Sequence, residues 1–328
     1  MKLTASFLAL LALIGLGVYA VGALPAVPIP ADNPQTPAKV ELGRKLFYDT
    51  RLSSDNTVAC ASCHKPEFAF SDGGKAVSEG VRRQKGTRNA PTLTNVGFRQ
   101  SLFWEGRTPR LELQAVGPIT AHDEMDMTPE ALRSRLEGIP EYRLAFARAF
   151  PREPISLQTV AKAISAFQRT LVSFDSPYDR YVAGDDKAMS PAALRGMELF
   201  LGEKGDCFHC HVGGQFTDDQ PRNTALYTVY EDVGLARATG KDEDVGKFKT
   251  PTLRNVALTA PYMHDGSIKT LREAIQHYNN GGQPNLNSDP LIRPLGMTDA
   301  EVEDLVEFLK ALTDEGFTKN PAFLPPKP

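Results

Sequence analysis

The chain has 328 residues, 41% of them apolar, and a formal net charge of -3 with both signs interspersed. That length and composition support two ordinary hydrophobic cores, so two globular domains is the natural expectation. No basic stripe of the kind that neutralises phosphates is present, which sets nucleic acid aside as a partner.

In chain order, the first feature is a nearly unbroken apolar run over residues 7–21, with no charge between Lys2 and Asp32. Residues 1–23 read as an export signal or N-terminal membrane anchor, with Val18-Tyr19-Ala20 and Val21-Gly22-Ala23 as passable cleavage sites. Pro25, Pro28 and Pro30 follow as an extended linker. Thr36-Pro37 is a hydroxyl cap with an N1 proline, and it opens a helix through Gly43-Arg-Lys-Leu46-Phe47. A helix is expected after Thr128-Pro129, and another from about residue 157 to 172. Pro177, Gly184 and Asp185-Asp186 then break the pattern. The N-terminal domain is therefore expected over 24–180 and the C-terminal domain over 181–328, with the last ~15 residues packing back on the first domain. Ser190-Pro191 opens the helix of Gly196-Met-Glu-Leu199-Phe200. Thr298-x-x-Glu301 is a capping box ahead of Val302, Leu305, Val306 and Leu309, an amphipathic helix with one buried face. No sustained alternation demands a large sheet, so the fold class is mainly α.

Four cysteines in an exported chain would ordinarily suggest disulfides. Here all four fall into two copies of Cys-x-x-Cys-His, Cys60-Ala-Ser-Cys63-His64 and Cys207-Phe-His-Cys210-His211, which is the attachment pattern of c-type haem. Two thiols add across the haem vinyl groups, and the adjacent imidazole is delivered to the iron. A four-sulfur zinc site would leave both histidines unexplained. His209, inside the second motif, is expected at the surface or in packing rather than as a ligand.

The two motifs belong to duplicated units. Gly43 to Phe47 before the first matches Gly196 to Phe200 before the second. Downstream, Pro91-Thr92-Leu93-x-Asn95-Val96 matches Pro251-Thr252-Leu253-x-Asn255-Val256 at an offset of 160. At the same offset Trp104-Glu105-Gly106 matches His264-Asp265-Gly266, and Leu111 matches Leu271. The expected architecture is two cytochrome c-like haem domains related by internal duplication.

Four stretches carry a family resemblance: Arg88-Asn-Ala-Pro-Thr92, Phe103-Trp-Glu-Gly-Arg107, Gly117-Pro-Ile119 and Thr250-Pro-Thr-Leu-Arg-Asn-Val-Ala-Leu-Thr-Ala-Pro-Tyr-Met-His-Asp-Gly-Ser267. With them the chain resembles the bacterial di-haem cytochrome c peroxidases and the related MauG enzymes, which modify tryptophans in a partner protein. The resemblance covers essentially everything after the export segment.

It implies a periplasmic enzyme whose iron ligands include His64 and His211, with Tyr278 as the sixth ligand of the second haem. Tyr278 occupies the repeat position of Pro118, which cannot ligate iron, so the first haem is expected to be open; His277, Met263 and Met297 compete with Tyr278. The peroxidases of this family carry a methionine at the second position, whereas MauG-like members resemble this chain in having tyrosine. They also carry a histidine in the loop that here reads Ser78-Glu-Gly-Val-Arg-Arg-Gln-Lys85, where Val81 holds its place. The resemblance further implies that Glu124 is the distal acid-base group and Gln114 a hydrogen-bonding amide. Trp104, the only tryptophan, becomes a relay between the haems. A calcium ion is implied at Asn89 and the carbonyls of Thr259 and Pro261, bridging the domains. His122 is expected in a supporting or surface position.

Three functions follow. The first is reduction of hydrogen peroxide, fed by a small cytochrome c or cupredoxin. The second is a MauG-like oxidation of side chains in a partner protein, although residues 200–206 lack the tryptophan that MauG resembles having there. The third is a non-enzymatic electron carrier, against which Pro118 and Glu124 speak. A homodimer is compatible with the pattern.

Overall fold

A computed structural model describes residues 25–326. The expected export segment lies outside the described residues. Among the described residues, no helix is long and apolar enough to cross a membrane. The fold is mainly helical, and among the described residues the only strands are the antiparallel pair Pro221–Arg222 and Phe248–Lys249.

Contacts divide the chain into two units. One, called here the N-terminal unit, comprises Val27–Ser173, Leu258–Thr270 and the chain from Glu315 on. The other, the C-terminal unit, comprises Phe174–Ala257 and Leu271–Asp314. The segment Leu258–Thr270 thus has second-repeat sequence and belongs by contact to the unit of the first repeat.

In the N-terminal unit the helix Pro37–Phe47 starts where the sequence expects it, with the Thr36 hydroxyl accepting from Lys39 N–H and proline at N1. Its buried face, Leu42, Gly43, Leu46 and Phe47, crosses the helix Leu157–Gln168. Gly43 sits at the crossing: a Cβ there would lie 1.9 Å from the Ala163 carbonyl oxygen, so only glycine lets the backbones approach. Phe47 meets Phe167 edge-on with ring centroids 5.3 Å apart, which locks the crossing.

The C-terminal unit repeats this design. Ser190 caps the helix Pro191–Leu201 through Ala193 N–H, and the capping box of Thr298 and Glu301 opens the helix Asp299–Lys310. Gly196 marks their crossing, with a Cβ position 1.9 Å from the Asp304 carbonyl oxygen. Phe200 and Phe308 pack there with centroids 5.1 Å apart.

Two local expectations differ from the structure. The helix from residue 157 ends at Gln168 rather than near 172. The side chain of Arg169 is drawn to Glu112 at 2.7 Å, and Thr170 turns its hydroxyl back onto the Phe167 carbonyl. The following backbone is taken by Asn95, whose side chain bonds Ser173 in both directions at 3.0 and 2.8 Å. A helix at Pro140–Ala149 was not expected, although Pro140 at N1 is a start signal.

Candidate haem and peroxide site

The four cysteines are free, so none is consumed in a disulfide. Cys60–Cys63 form one helical turn that ends at His64. His64 Nδ1 lies 2.8 Å from the Phe70 carbonyl oxygen, and His211 Nδ1 lies 2.9 Å from that of Phe216. A carbonyl only accepts, so each Nδ1 carries the proton and donates, which leaves Nε2 with its lone pair. Burial holds both imidazoles below the ordinary histidine value and therefore neutral. A neutral imidazole oriented by a bond from Nδ1 is what a metal-ligating histidine requires. The residues present thus fit two covalent haems, with Cys60, Cys63 and His64 to hold one and Cys207, Cys210 and His211 the other.

The surroundings of the two motifs are duplicated as well. The Thr92 hydroxyl donates to the Ala69 carbonyl at 2.5 Å, and Thr252 donates to Gln215 at 2.7 Å. Asn95 and Asn255 both adopt the left-handed conformation. Asn95 N–H binds the Leu171 carbonyl and Asn255 N–H that of Leu312, so each asparagine pins the chain that leaves its closing helix.

Around the first motif, burial is the main cause that raises the thiols of Cys60 and Cys63, and the charge of Glu124 adds to it. Glu124 is exposed, yet desolvation by the protein atoms around its carboxyl, with the negative charge of Asp123, pushes it up to about 7; Arg107 opposes the shift. Val81 is fully buried, and its N–H donates to the Glu124 carbonyl at 2.8 Å. Gln114 is partly buried at the end of the turn Leu111–Gln114. Pro118 lies in the next short helix, Val116–Thr120. His122 is exposed, with Nδ1 3.1 Å from Asp126.

Trp104 is partly buried, and its indole Nε1 donates to the Asn89 carbonyl at 2.8 Å. Asn89 N–H donates in turn to the His264 carbonyl at 2.7 Å, so the backbone of one residue joins Trp104 to its repeat counterpart. The Asn89 side-chain amide donates to the carbonyls of Lys75 and Ala76. Asn89, Thr259 and Pro261 all belong to the N-terminal unit. Among the described residues, no group of three or more His, Cys, Asp or Glu side chains is placed to hold a metal ion.

In the C-terminal unit, Tyr278 lies on the helix Leu271–Asn279 and is partly buried. Burial raises its phenol above the ordinary tyrosine value, and the charges of Cys210 and Cys207 raise it further. Of its competitors, His277 has Nε2 2.9 Å from the Thr224 carbonyl, and Met263 belongs to the N-terminal unit. Met297 is buried, with its backbone held in both directions by the Asn279 side chain. His209 is exposed and paired with Asp206.

Sequence reasoning gave no role to Glu105 and Arg107. Glu105 is 2% exposed and binds both Arg88 and Arg107. A carboxylate two residues before an arginine within an aromatic-glycine turn was the available sign.

A sequence profile described as di-haem cytochrome c peroxidase matches residues 37–187, and one described as cytochrome c matches 193–313. The methylamine utilization protein MauG of Methylorubrum extorquens is 40% identical over 88% of this chain and 82% of its own. The cytochrome-c peroxidase IdrP1 of Denitromonas iodatirespirans is 38% identical over 89% and 86%. The crystal structure of a MauG-like protein associated with microbial copper homeostasis superposes with a TM-score of 0.88 at 39% identity, covering 94% of this chain and 98% of that one. With its two matched haem domains, the chain belongs to the di-haem cytochrome c peroxidase and MauG family: an oxidoreductase of the cytochrome-c peroxidase type with two covalently bound c-type haems.

Proposed function

We propose that this chain reduces hydrogen peroxide to water beside its first attachment motif, with Glu124 as the group that moves the protons. The feature that carries this reading is Glu124, a carboxylate whose charge acts on the thiols of Cys60 and Cys63 and whose own carboxyl is pushed up to about 7. When bound, the haems would supply the electrons and the metal centre at which the oxygen–oxygen bond breaks. Each peroxide takes up two electrons and two protons and leaves as two waters. A carboxyl raised above the ordinary glutamate value can both hold and release a proton near neutral pH. Glu124 can therefore accept a proton from the incoming peroxide and return it to the departing oxygen.

Pro118 offers no donor atom and leaves the approach clear, while Gln114 adds an amide hydrogen bond. Trp104, its indole oriented by the Asn89 carbonyl, serves as the electron relay. In the C-terminal unit Tyr278 would be the second protein ligand, and a bound iron cation would favour the phenolate that burial alone disfavours. Asn89, Thr259 and Pro261 would hold a calcium ion through oxygen atoms. The electron donor is a small cytochrome or copper protein, and the location is the periplasm.

Val81 and Tyr278 favour a second reading, a MauG-like oxidation of side chains on a partner protein. Both readings share the peroxide step and the role of Glu124.

The test is Glu124→Gln in the haem-loaded protein. Both haems should remain attached, judged by their absorption spectra, while peroxide turnover falls by about 10²–10⁴-fold, the usual worth of general acid-base help. Near-normal turnover would sink the assignment.

A further inference from the structure

We infer that each haem-ligating histidine is held by an aromatic strap that the other repeat supplies, with Phe317 as the positioning residue for His64 and Tyr178 for His211. The inference is independent of the role of Glu124 and rests only on the two covalent haems.

The orientation of each imidazole depends on one carbonyl, that of Phe70 for His64 and that of Phe216 for His211. Both carbonyls are aimed from the left-handed region: Ala69 and Phe70 have φ angles of 52° and 61°, and Phe216 has 52°. Residues other than glycine hold that conformation only where their surroundings impose it. The two phenylalanine rings, both buried, supply the constraint through their packing.

Each ring is gripped edge-on from two sides. From the unit's own first helix, Phe47 meets Phe70 with centroids 5.9 Å apart, and Phe200 meets Phe216 at 5.9 Å. On the other side Phe317 meets Phe70 at 5.8 Å, and Tyr178 meets Phe216 at 5.0 Å. These last two rings are exchanged between the repeats. Tyr178 follows the helix Leu157–Gln168 of the first repeat and packs in the C-terminal unit. Phe317 follows the helix Asp299–Lys310 of the second repeat and packs in the N-terminal unit. Asn95 and Asn255 pin the same two exits just upstream, at Leu171 and Leu312.

Both straps are fastened where they land. Phe317 lies on the helix Glu315–Lys319, and Phe323 packs on it with centroids 5.4 Å apart. The Tyr48 hydroxyl donates to the Phe323 carbonyl at 2.6 Å, and Arg44 donates to that of Pro321 at 3.2 Å. Tyr178 lies on the helix Pro177–Val182, with its N–H on the Ala311 carbonyl at 3.1 Å. There the buried Arg254 holds Asp179 of the strap by two bonds of 2.8 Å and the Gly214 carbonyl of the ligand loop at 2.6 Å. Thr94 stands at the repeat position of Arg254, so a charged clamp is replaced by a hydroxyl and His64 depends more heavily on its aromatic strap.

A histidine whose Nδ1 proton loses its acceptor is a less basic ligand and supports ferric iron less well. The test compares Phe317→Ala, Phe317→Leu and Tyr178→Ala in the haem-loaded protein. One readout is potentiometric titration, with the couple of the first haem identified by its displacement in His64→Met. The other is hydrogen exchange of the loops 65–72 and 212–218. Phe317→Ala should shift the first couple toward the ferrous form by about ten-fold, ~59 mV for one electron, and leave the second in place. Exchange over 65–72 should rise about ten-fold while 212–218 is unchanged. Tyr178→Ala should reverse the pattern with a smaller shift, and Phe317→Leu, which keeps apolar bulk on Phe70, should restore most of the wild-type couple. A first couple that stays put in Phe317→Ala, or exchange that rises equally in both loops, overturns the inference. If Phe317→Ala does not load haem, Phe317→Val takes its place and is read against the same two outcomes.

Discussion

In the N-terminal unit the helical segment that begins at Leu111 breaks after Gln114 and resumes as a short helix containing Pro118. In the C-terminal unit the counterpart that begins at Leu271 runs unbroken to Asn279 and carries Tyr278. Proline has no N–H for the preceding turn and its ring crowds that turn's carbonyl, so the break follows from one residue. Almost everything else around the two motifs is held in common: the glycine crossing, the histidine-to-carbonyl bond, the threonine and the asparagine. One scaffold can therefore present either a proline or a potential ligand at the same repeat position, and the choice need not disturb the haem's own attachment.

The sharpest way to exploit that contrast is Tyr278→Met. It should raise the potential of the C-terminal haem by roughly 0.1–0.3 V, within the ~0.8 V that axial ligands span, and leave the N-terminal haem unchanged. A potentiometric titration with no shift would place the ligand elsewhere, with Met297 the first alternative.

The common scaffold can be tested in pairs. Gly43→Ala and Gly196→Ala each force a backbone shift and should each cost about 3 kcal/mol, at the upper end for overpacking. Calorimetry showing one loss without the other would mean that the two crossings are not equivalent. Asn95→Ala and Asn255→Ala leave buried backbone groups short of partners and should cost about 1–3 kcal/mol each. The smallest pair is Thr92→Val and Thr252→Val, each worth about 0.5–1.5 kcal/mol, read by denaturant midpoints. A Thr252→Val variant that matched wild type while Thr92→Val did not would show that the duplicated bond has lost its role in one unit.

The attachment residues were legible because their chemistry is local: two thiols and an imidazole within five residues need no tertiary information. The duplication was legible for the same reason, since matched turns repeat matched side chains. The carbonyls of Phe70 and Phe216 were not, because each is aimed by a left-handed backbone residue, Ala69 and Phe70 in one unit and Phe216 in the other. The long reading of the helix from residue 157 followed apolar periodicity through Leu171 and Val172. Leu171 is instead buried beyond the end of the helix, where the Asn95 side chain holds Ser173, a contact 78 residues away in sequence. Arg107 stood inside a quoted motif, yet its tie to Arg88 through Glu105 exists only once the turn has folded.

The assignment of Leu258–Thr270 to the N-terminal unit bears on how the chain can be made. Its Ala260 carbonyl accepts from Gly74, and its His264 carbonyl accepts from Asn89. A gene split at residue 174 would hand one fragment a loop whose partners are encoded on the other. On the ribosome the same threading reverses the usual order, in which domains mature as they emerge. The unit that begins first waits for residues beyond 315 and is completed last.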